Sequence, residues 1–202
     1  MKKRLSPRAV LVIIAAMFLL PLLLAWFMYS GAIDFKPSST RNYGQLVEPP
    51  LPMAWEDTAM ISRNDEPSPS SAQVFSEHWV ILYTLPDECR QACVQEVTAL
   101  RQIHLASGRH QARVRIALLV KDPDSAEMQG MLRDLYSKFQ LISDPSGGLA
   151  HVLEQATAGK SSSYLIDPLG NIMMSYETGA DPNHLKQDLK RLLTWSKLDE
   201  QQ

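Results

Sequence analysis

Apolar positions along this chain change their spacing three times, and each change predicts a different kind of element. Residues 9 to 33, AVLVIIAAMFLLPLLLAWFMYSGAI, contain no charge. About 20 helical residues cross a hydrocarbon core of about 30 Å, so this run predicts a transmembrane helix. Pro21 is tolerated inside such a helix, and Trp26, Phe27 and Tyr29 suit an interface. From Asp34 to Ala72 periodicity is lost among Pro, Ser, Asn and Asp, as in PSSTRNYGQLVEPPLP and RNDEPSPSS. That composition predicts a tether with local docking, in which LPMAWEDTAMI can add an edge strand or lie across the domain that follows.

Beyond residue 73 the pattern is that of a folded body. Trp79 to Thr84 (WVILYT) is a short apolar run of β-formers that no helical period fits, and it predicts a buried strand. Leu85-Pro86-Asp87 makes a turn. Cys93, Val97, Leu100 and His104 or Leu105 then recur at steps of three or four, the spacing of one helix face. Val114 to Val120 reads as a second buried strand, suited to a parallel sheet covered on both sides. Asp124 or Ser125 can cap a helix through Met128, Leu132, Leu135 and Phe139. Leu141-Ile142-Ser143 forms a short segment, followed by a turn at Asp144 to Gly148 and a helix from Leu149 to about Ala156. Ser162 to Ile166 and Ile172 to Tyr176 form a hairpin around Asp167-Pro168-Leu169-Gly170-Asn171. Asp181-Pro182 starts a last helix with the stripe Leu185, Leu189, Leu192 and Leu193. Alternating strands and helices closed by a hairpin and a helix predict an α/β, thioredoxin-like fold: a mixed central sheet flanked by helices, preceded by an N-terminal transmembrane helix. The expected divisions are 1–33, cytoplasmic N-terminus and anchor; 34–72, linker; and 73–202, the thioredoxin-like domain.

Charge adds orientation. The 202 residues carry a formal charge of -2, but Lys2, Lys3, Arg4 and Arg8 hold +4 of it, which leaves -6 on the rest. Basic residues before the apolar run place the N-terminus in the cytoplasm and the body outside. Ser30-Gly31-Ala32 offers a processing site, but the apolar run exceeds the about 7 to 15 residues of a signal peptide, so an uncleaved anchor is the expectation. No basic patch interleaved with aromatics survives in the body, which gives a nucleic-acid role no support.

Cys89 and Cys93, the two cysteines of the chain, sit at the junction of the first strand and its helix. A helix start carries unpaired N–H groups and a partial positive charge, and both favour a thiolate. Cys89 is expected there, as a nucleophile in disulfide exchange or a soft-metal ligand. Cys93, four positions on, is expected on the same helical face, close enough to be oxidised with it. A structural staple is the alternative, although so small a loop stabilises least by loop entropy.

The exported position, the C-x-x-x-C pair after a strand ending in Tyr-Thr, and the hairpin sequence Tyr164-Leu-Ile-Asp-Pro-Leu-Gly170 together resemble the SCO/SenC proteins. Cys89-Arg-Gln-Ala-Cys93 and Leu100-Arg101-Gln102 are similar to the SCO-like membrane proteins of proteobacterial oxidase assembly. The likeness covers about residues 75 to 195. It implies a thioredoxin-fold copper chaperone or thiol reductase in cytochrome c oxidase assembly, with Cys89 attacking and Cys93 resolving. The same resemblance implies Cys89 and Cys93 as ligands for Cu(I), an oxidase subunit or copper chaperone as partner, and an inner-membrane protein whose C-terminal domain is periplasmic. The family's third copper ligand is a histidine five residues before the hairpin aromatic, and Gly159 stands there. Cu(I) is satisfied by two thiolates, whereas Cu(II) needs nitrogen or oxygen donors. Of His78, His104, His110, His151 and His184, His151 is the first to inspect. Lys160 would lower a thiolate pKa if it faced the pair. Thioredoxins proper place a cis-proline in the loop before the hairpin, whereas this chain reads Ala158-Gly-Lys-Ser-Ser162. A second reading makes the domain a redox-inactive binding or scaffold module, with the two cysteines as a fixed bridge.

Overall fold

The computed structural model describes residues 6–30, 41–62, 69–122, 137–157 and 159–196. Two compact units divide the chain, Met1–Arg41 and Asn42–Gln202. In the first, helix α1 (Pro7–Tyr29) starts where the Ser6 side chain accepts the Ala9 N–H at 3.3 Å, with Pro7 in the first turn. Its segment Pro7–Phe27 has a mean hydropathy of 2.8, long and apolar enough to cross a bilayer. Leu11, Phe18, Leu22 and Trp26 are open along it.

The second unit is built on a seven-stranded mixed sheet in the order β1-β7-β6-β3-β4-β5-β2. The strands are β1 (Gln45–Pro52), β2 (Ala59–Met60), β3 (Trp79–Thr84), β4 (Val114–Leu119), β5 (Phe139–Ser143), β6 (Ser161–Ile166) and β7 (Asn171–Glu177). The helices are α2 (Ser71–Phe75), α3 (Gln91–Ala106), α4 (Gly148–Thr157) and α5 (Pro182–Trp195), with short 3-10 turns at Trp55–Asp57 and Gly108–Arg113.

β3 lies at the centre, parallel to β4 and antiparallel to β6. Its apolar run has no polar alternation because both faces are covered. Trp79, Ile81 and Tyr83 pack with α3 and α5, while Val80 and Leu82 point to the layer of α2 and α4. Val80, Ile81 and Leu82 are fully buried, each contributing about 2 kcal/mol of transfer free energy. The hydrophobic effect thus fixes this strand before any edge strand.

The hairpin forms as expected. Asp167 Oδ1 accepts the Leu169 and Asn171 N–H groups at 2.9 and 2.8 Å, and Gly170 takes the left-handed φ of 85° that the turn requires. Asp181 caps α5 through the Asn183 N–H at 2.9 Å. Asp144 accepts the Ala150 N–H at 2.8 Å at the start of α4. Turn and cap chemistry accounts for these acids.

One expectation is sharpened and one needs correction. The segment LPMAWEDTAMI docks on the folded unit as its sequence allows, with Trp55 in the core and β2 at a sheet edge, and β1 ahead of it joins the same sheet. β1 pairs with β7 and β2 with β5, which places both at the sheet edges. A strand containing Pro49, Pro50 and Pro52 is tolerable at an edge, where missing donors face no partner. Trp55 stacks on Phe75 with ring centroids 4.4 Å apart and fills the layer beneath α4. The helix drawn through Met128, Leu132 and Leu135 lies outside the described residues. Phe139, drawn as its end, opens β5 instead, with its ring in the core opposite Ile116.

Candidate redox site

The site sits at the C-terminal end of β3. Thr84 ends the strand, and its Oγ1 donates to the Ser162 carbonyl at 3.3 Å across to β6. Leu85 then turns inward, its N–H donating to the Leu119 carbonyl at 2.9 Å, so the chain leaves the sheet with Pro86, Asp87 and Glu88 exposed. Lys121 pairs with Asp87 at 3.0 Å and Arg90 with Glu88, ion pairs that solvent screens.

Cys89 and Cys93 are joined as a disulfide, with Cα atoms 5.2 Å apart. The helix start is displaced from the sequence expectation. Arg90 is the N-cap residue with extended backbone, and α3 begins at Gln91. Cys89 therefore precedes the cap, and Cys93 occupies the first turn among the free N–H groups. Because Cys89 lies outside the helix, the two sulfurs meet by reach from the loop, not by stacking on one helical face. Cys93 is 5% exposed and packed with Tyr83, Leu85 and Val97, whereas Cys89 is half-buried at the edge of that cluster. A bond partner arriving from solvent reaches Cys89 first.

At the same end of β3 runs an open groove of about 460 Å³, lined among others by Leu85, Pro86, Leu119, Leu153, Tyr164 and Thr178 but by neither cysteine. It lies on the α4 side of the sheet, opposite the face that packs Cys93, and presents mostly apolar surface. Beneath α3, Glu96 lies one turn after Cys93. Its carboxylate accepts the Gly179 N–H at 3.1 Å and hydrogen-bonds the Tyr83 hydroxyl. Burial first, then that hydrogen bond and the Glu96 charge, raise the Tyr83 phenol's pKa, so it stays protonated. Sequence reading missed this contact; the available signal was an acid three residues after Cys93 on its helix.

The remaining candidates are scattered. His151 is exposed on α4, His184 stacks on Tyr43, and His104 is buried on α3. Lys160 is exposed, in the turn after the left-handed Gly159. Met174 is buried in the α3–α5 core and Met173 is partly buried against the same cluster. Among the described residues no group of three His, Cys, Asp or Glu side chains gathers to hold a metal. Once the bridge is reduced, Cys89 and Cys93 offer two thiolates, soft donors of the kind that suit Cu(I).

Three comparisons set this geometry among known proteins. Apo Sco1 of Thermus thermophilus superposes with a TM-score of 0.54 at 16% identity, covering 78% of this chain and 99% of that one. A SCO1/SenC family lipoprotein from Bacillus anthracis gives 0.52 at 15% identity, covering 72% and 98%. The thioredoxin domain of a thiol-disulfide oxidoreductase from Bacteroides vulgatus gives 0.51 at 16%, covering 77% and 99%. At these identities the likeness shows the fold: this is the thioredoxin-like architecture of Sco/SenC proteins and thiol-disulfide oxidoreductases. No curated protein matches the sequence. A family model does, over residues 79–196, the span from the first residue of β3 to the end of α5 that holds the whole dithiol site. The chain belongs to the family described as transmembrane-like, thioredoxin-like, C-terminal domain.

Proposed function

We propose that the protein is a membrane-anchored thiol-disulfide exchange protein of Sco type that acts on an exported client during cytochrome c oxidase assembly. The observation that carries the reading is the asymmetry of the pair. An accessible Cys89 stands before the helix, and a buried Cys93 waits within bonding distance in its first turn. In the reduced protein the Cys89 thiolate attacks a client disulfide, and one client sulfur leaves as a thiolate. Cys93, once deprotonated, attacks the Cys89 sulfur and releases the second client thiol. Two electrons pass to the client, and the Cys89–Cys93 bridge remains. A dithiol partner in the same compartment must restore the reduced state. The apolar groove along Leu85, Pro86 and Leu153 would hold the client segment that flanks its cysteine.

Basic residues ahead of α1 support an inner-membrane anchor with residues 42–202 in the periplasm. Reduced Cys89 and Cys93 would also carry Cu(I) as cargo, the second reading, which the two-thiolate donor set favours.

The reduction potential tests the first reading: a value between about -120 and -270 mV is expected, while one below about -300 mV marks an inert structural bridge and overturns it. Cys89→Ser abolishes exchange with a model disulfide, and Cys93→Ser accumulates the mixed disulfide on Cys89. Anaerobic Cu(I) titration tests the second reading, which fails if binding persists without both thiols.

A further inference from the structure

The N-terminal ends of β3, β4 and β5 lie across the sheet from the disulfide, and there the side chains form an open concavity of about 600 Å³. Its polar lining comprises Arg115, Lys138, His78, His104 and the amides of Gln73, Gln111 and Gln140, with no acidic residue among the described ones. Strand register brings the two strongest charges together. Ile116 pairs with Phe139 across the parallel β4–β5 ladder, so Arg115 and Lys138, which immediately precede them, are neighbours at the mouth of those strands. Like charges so placed cost stability unless something lies between them. Among the described residues, the ion pairs formed by carboxylates go to neither of the two.

The guanidinium of Arg115 is set for a ligand. Its Nη1 donates to the Ala112 carbonyl at 3.0 Å and to the Val114 carbonyl at 3.5 Å, which fixes the plane of the group. Nε and Nη2 remain, the pair of donors that grips an oxyanion in parallel hydrogen bonds. Burial lowers the Arg115 pKa, the mark of a charge taken partly out of water without a compensating anion. The chain is otherwise acidic, at a formal -2, so this cationic hollow runs against its overall balance.

We propose that this concavity binds an oxyanion, a phosphate or carboxylate group, held by Arg115 and Lys138 with the glutamine amides around it. The group can belong to a soluble metabolite or to a lipid headgroup, since both present the same oxygens. The site is separate from the dithiol and does not depend on its chemistry.

Titration of the full-length protein in detergent with inorganic phosphate, at ionic strength matched with chloride, tests the assignment. Saturable binding is expected, with the Arg115 and His104 NMR signals shifting together. Lys138→Gln, at an exposed position that leaves the core intact, and Arg115→Gln should each weaken it about tenfold, as loss of a charge-assisted hydrogen bond does. No saturable phosphate binding above chloride overturns the proposal, and so does binding that survives Lys138→Gln and Arg115→Gln. Nanodiscs of phosphatidylcholine with and without phosphatidylglycerol separate the sources. The same signals shift on the anionic disc alone if a headgroup is the occupant, and respond to free phosphate on both discs if it is soluble.

Discussion

Asp188 shows how much a single residue carries here. The carboxylate is 2% exposed, yet it lies on α5, an amphipathic helix whose acids would ordinarily face water. Its Oδ2 accepts the Tyr43 and Gly44 N–H groups, each at 2.9 Å, and the Tyr176 hydroxyl at 3.2 Å, while Arg191 reaches Oδ1 at 3.3 Å. Gly44 has no room for more: a Cβ there would stand 2.8 Å from the Tyr176 ring. Asp188→Ala strands three donors and is expected to cost about 3 kcal/mol, read as a lower urea midpoint. His104 sets a pH dependence. Burial is the first cause holding its pKa below the ordinary 6.5, with Arg115 and Lys138 acting in the same direction. The unfolded chain therefore takes up this proton first as pH falls. The stability tied to the neutral ring is full above pH 6.5 and is lost between 6.5 and the lower folded-state value. Replacing His104 with Gln should flatten that slope below pH 6.5 in urea titrations. Neither residue was legible in advance as more than a helix acid and a helix histidine. Asp188's backbone partners Tyr43 and Gly44 lie more than 140 residues away, and the burial of His104 depends on strands the sheet brings in, neither of which one sequence displays.

At the scale of elements, β1 and the turn around Trp55 decide where the folded body begins. Gln45 to Pro50 is rich in proline and reads as linker, and the LPMAWEDTAMI run after it as a possible edge strand, because strand propensity is judged without the neighbour that supplies the hydrogen bonds. β7 supplies them here, pairing Gln45 with Ser175 and Leu51 with Ile172. Trp55 and Val47 bury their side chains against the α4 layer. A chain beginning at residue 73 would expose the edges of β7 and β5 and lose both side chains. Relative to a chain beginning at residue 42, it should be at least about 3 kcal/mol less stable in urea unfolding. By contrast β3, β4, the hairpin and α5 were readable, since an unbroken apolar run, a turn signal and a leucine stripe each report burial through local spacing. The dithiol's location was legible for the same reason, following a strand whose end the turn Leu85-Pro86-Asp87 announces. What escaped was the cap: Arg90 takes the extended conformation, and Cys89 falls outside the helix.

For the whole molecule, a bilayer-spanning candidate helix and a thioredoxin-like unit share one chain. If α1 is an uncleaved anchor, full-length protein stays in the membrane fraction after an alkaline wash, and N-terminal sequencing of that fraction returns Met1. A chain lacking residues 1–30 should appear in the soluble fraction with unchanged exchange activity. A mature protein starting near Ala32 would overturn the anchor.

The sequence by itself determined the elements whose causes are local: the apolar span, the buried central strand, the hairpin, the capped last helix, and a pair of cysteines at a strand-to-helix junction. Hydrophobic periodicity and turn chemistry act over a few residues, so they survive in one dimension. Tertiary structure alone decided which cysteine is reachable, that the proline-rich Gln45–Pro52 becomes an edge strand, and that Arg115 and Lys138 line one concavity at the starts of β4 and β5. Each of those depends on a partner brought in by the sheet, and pairing between distant segments is set by the packing of the whole core.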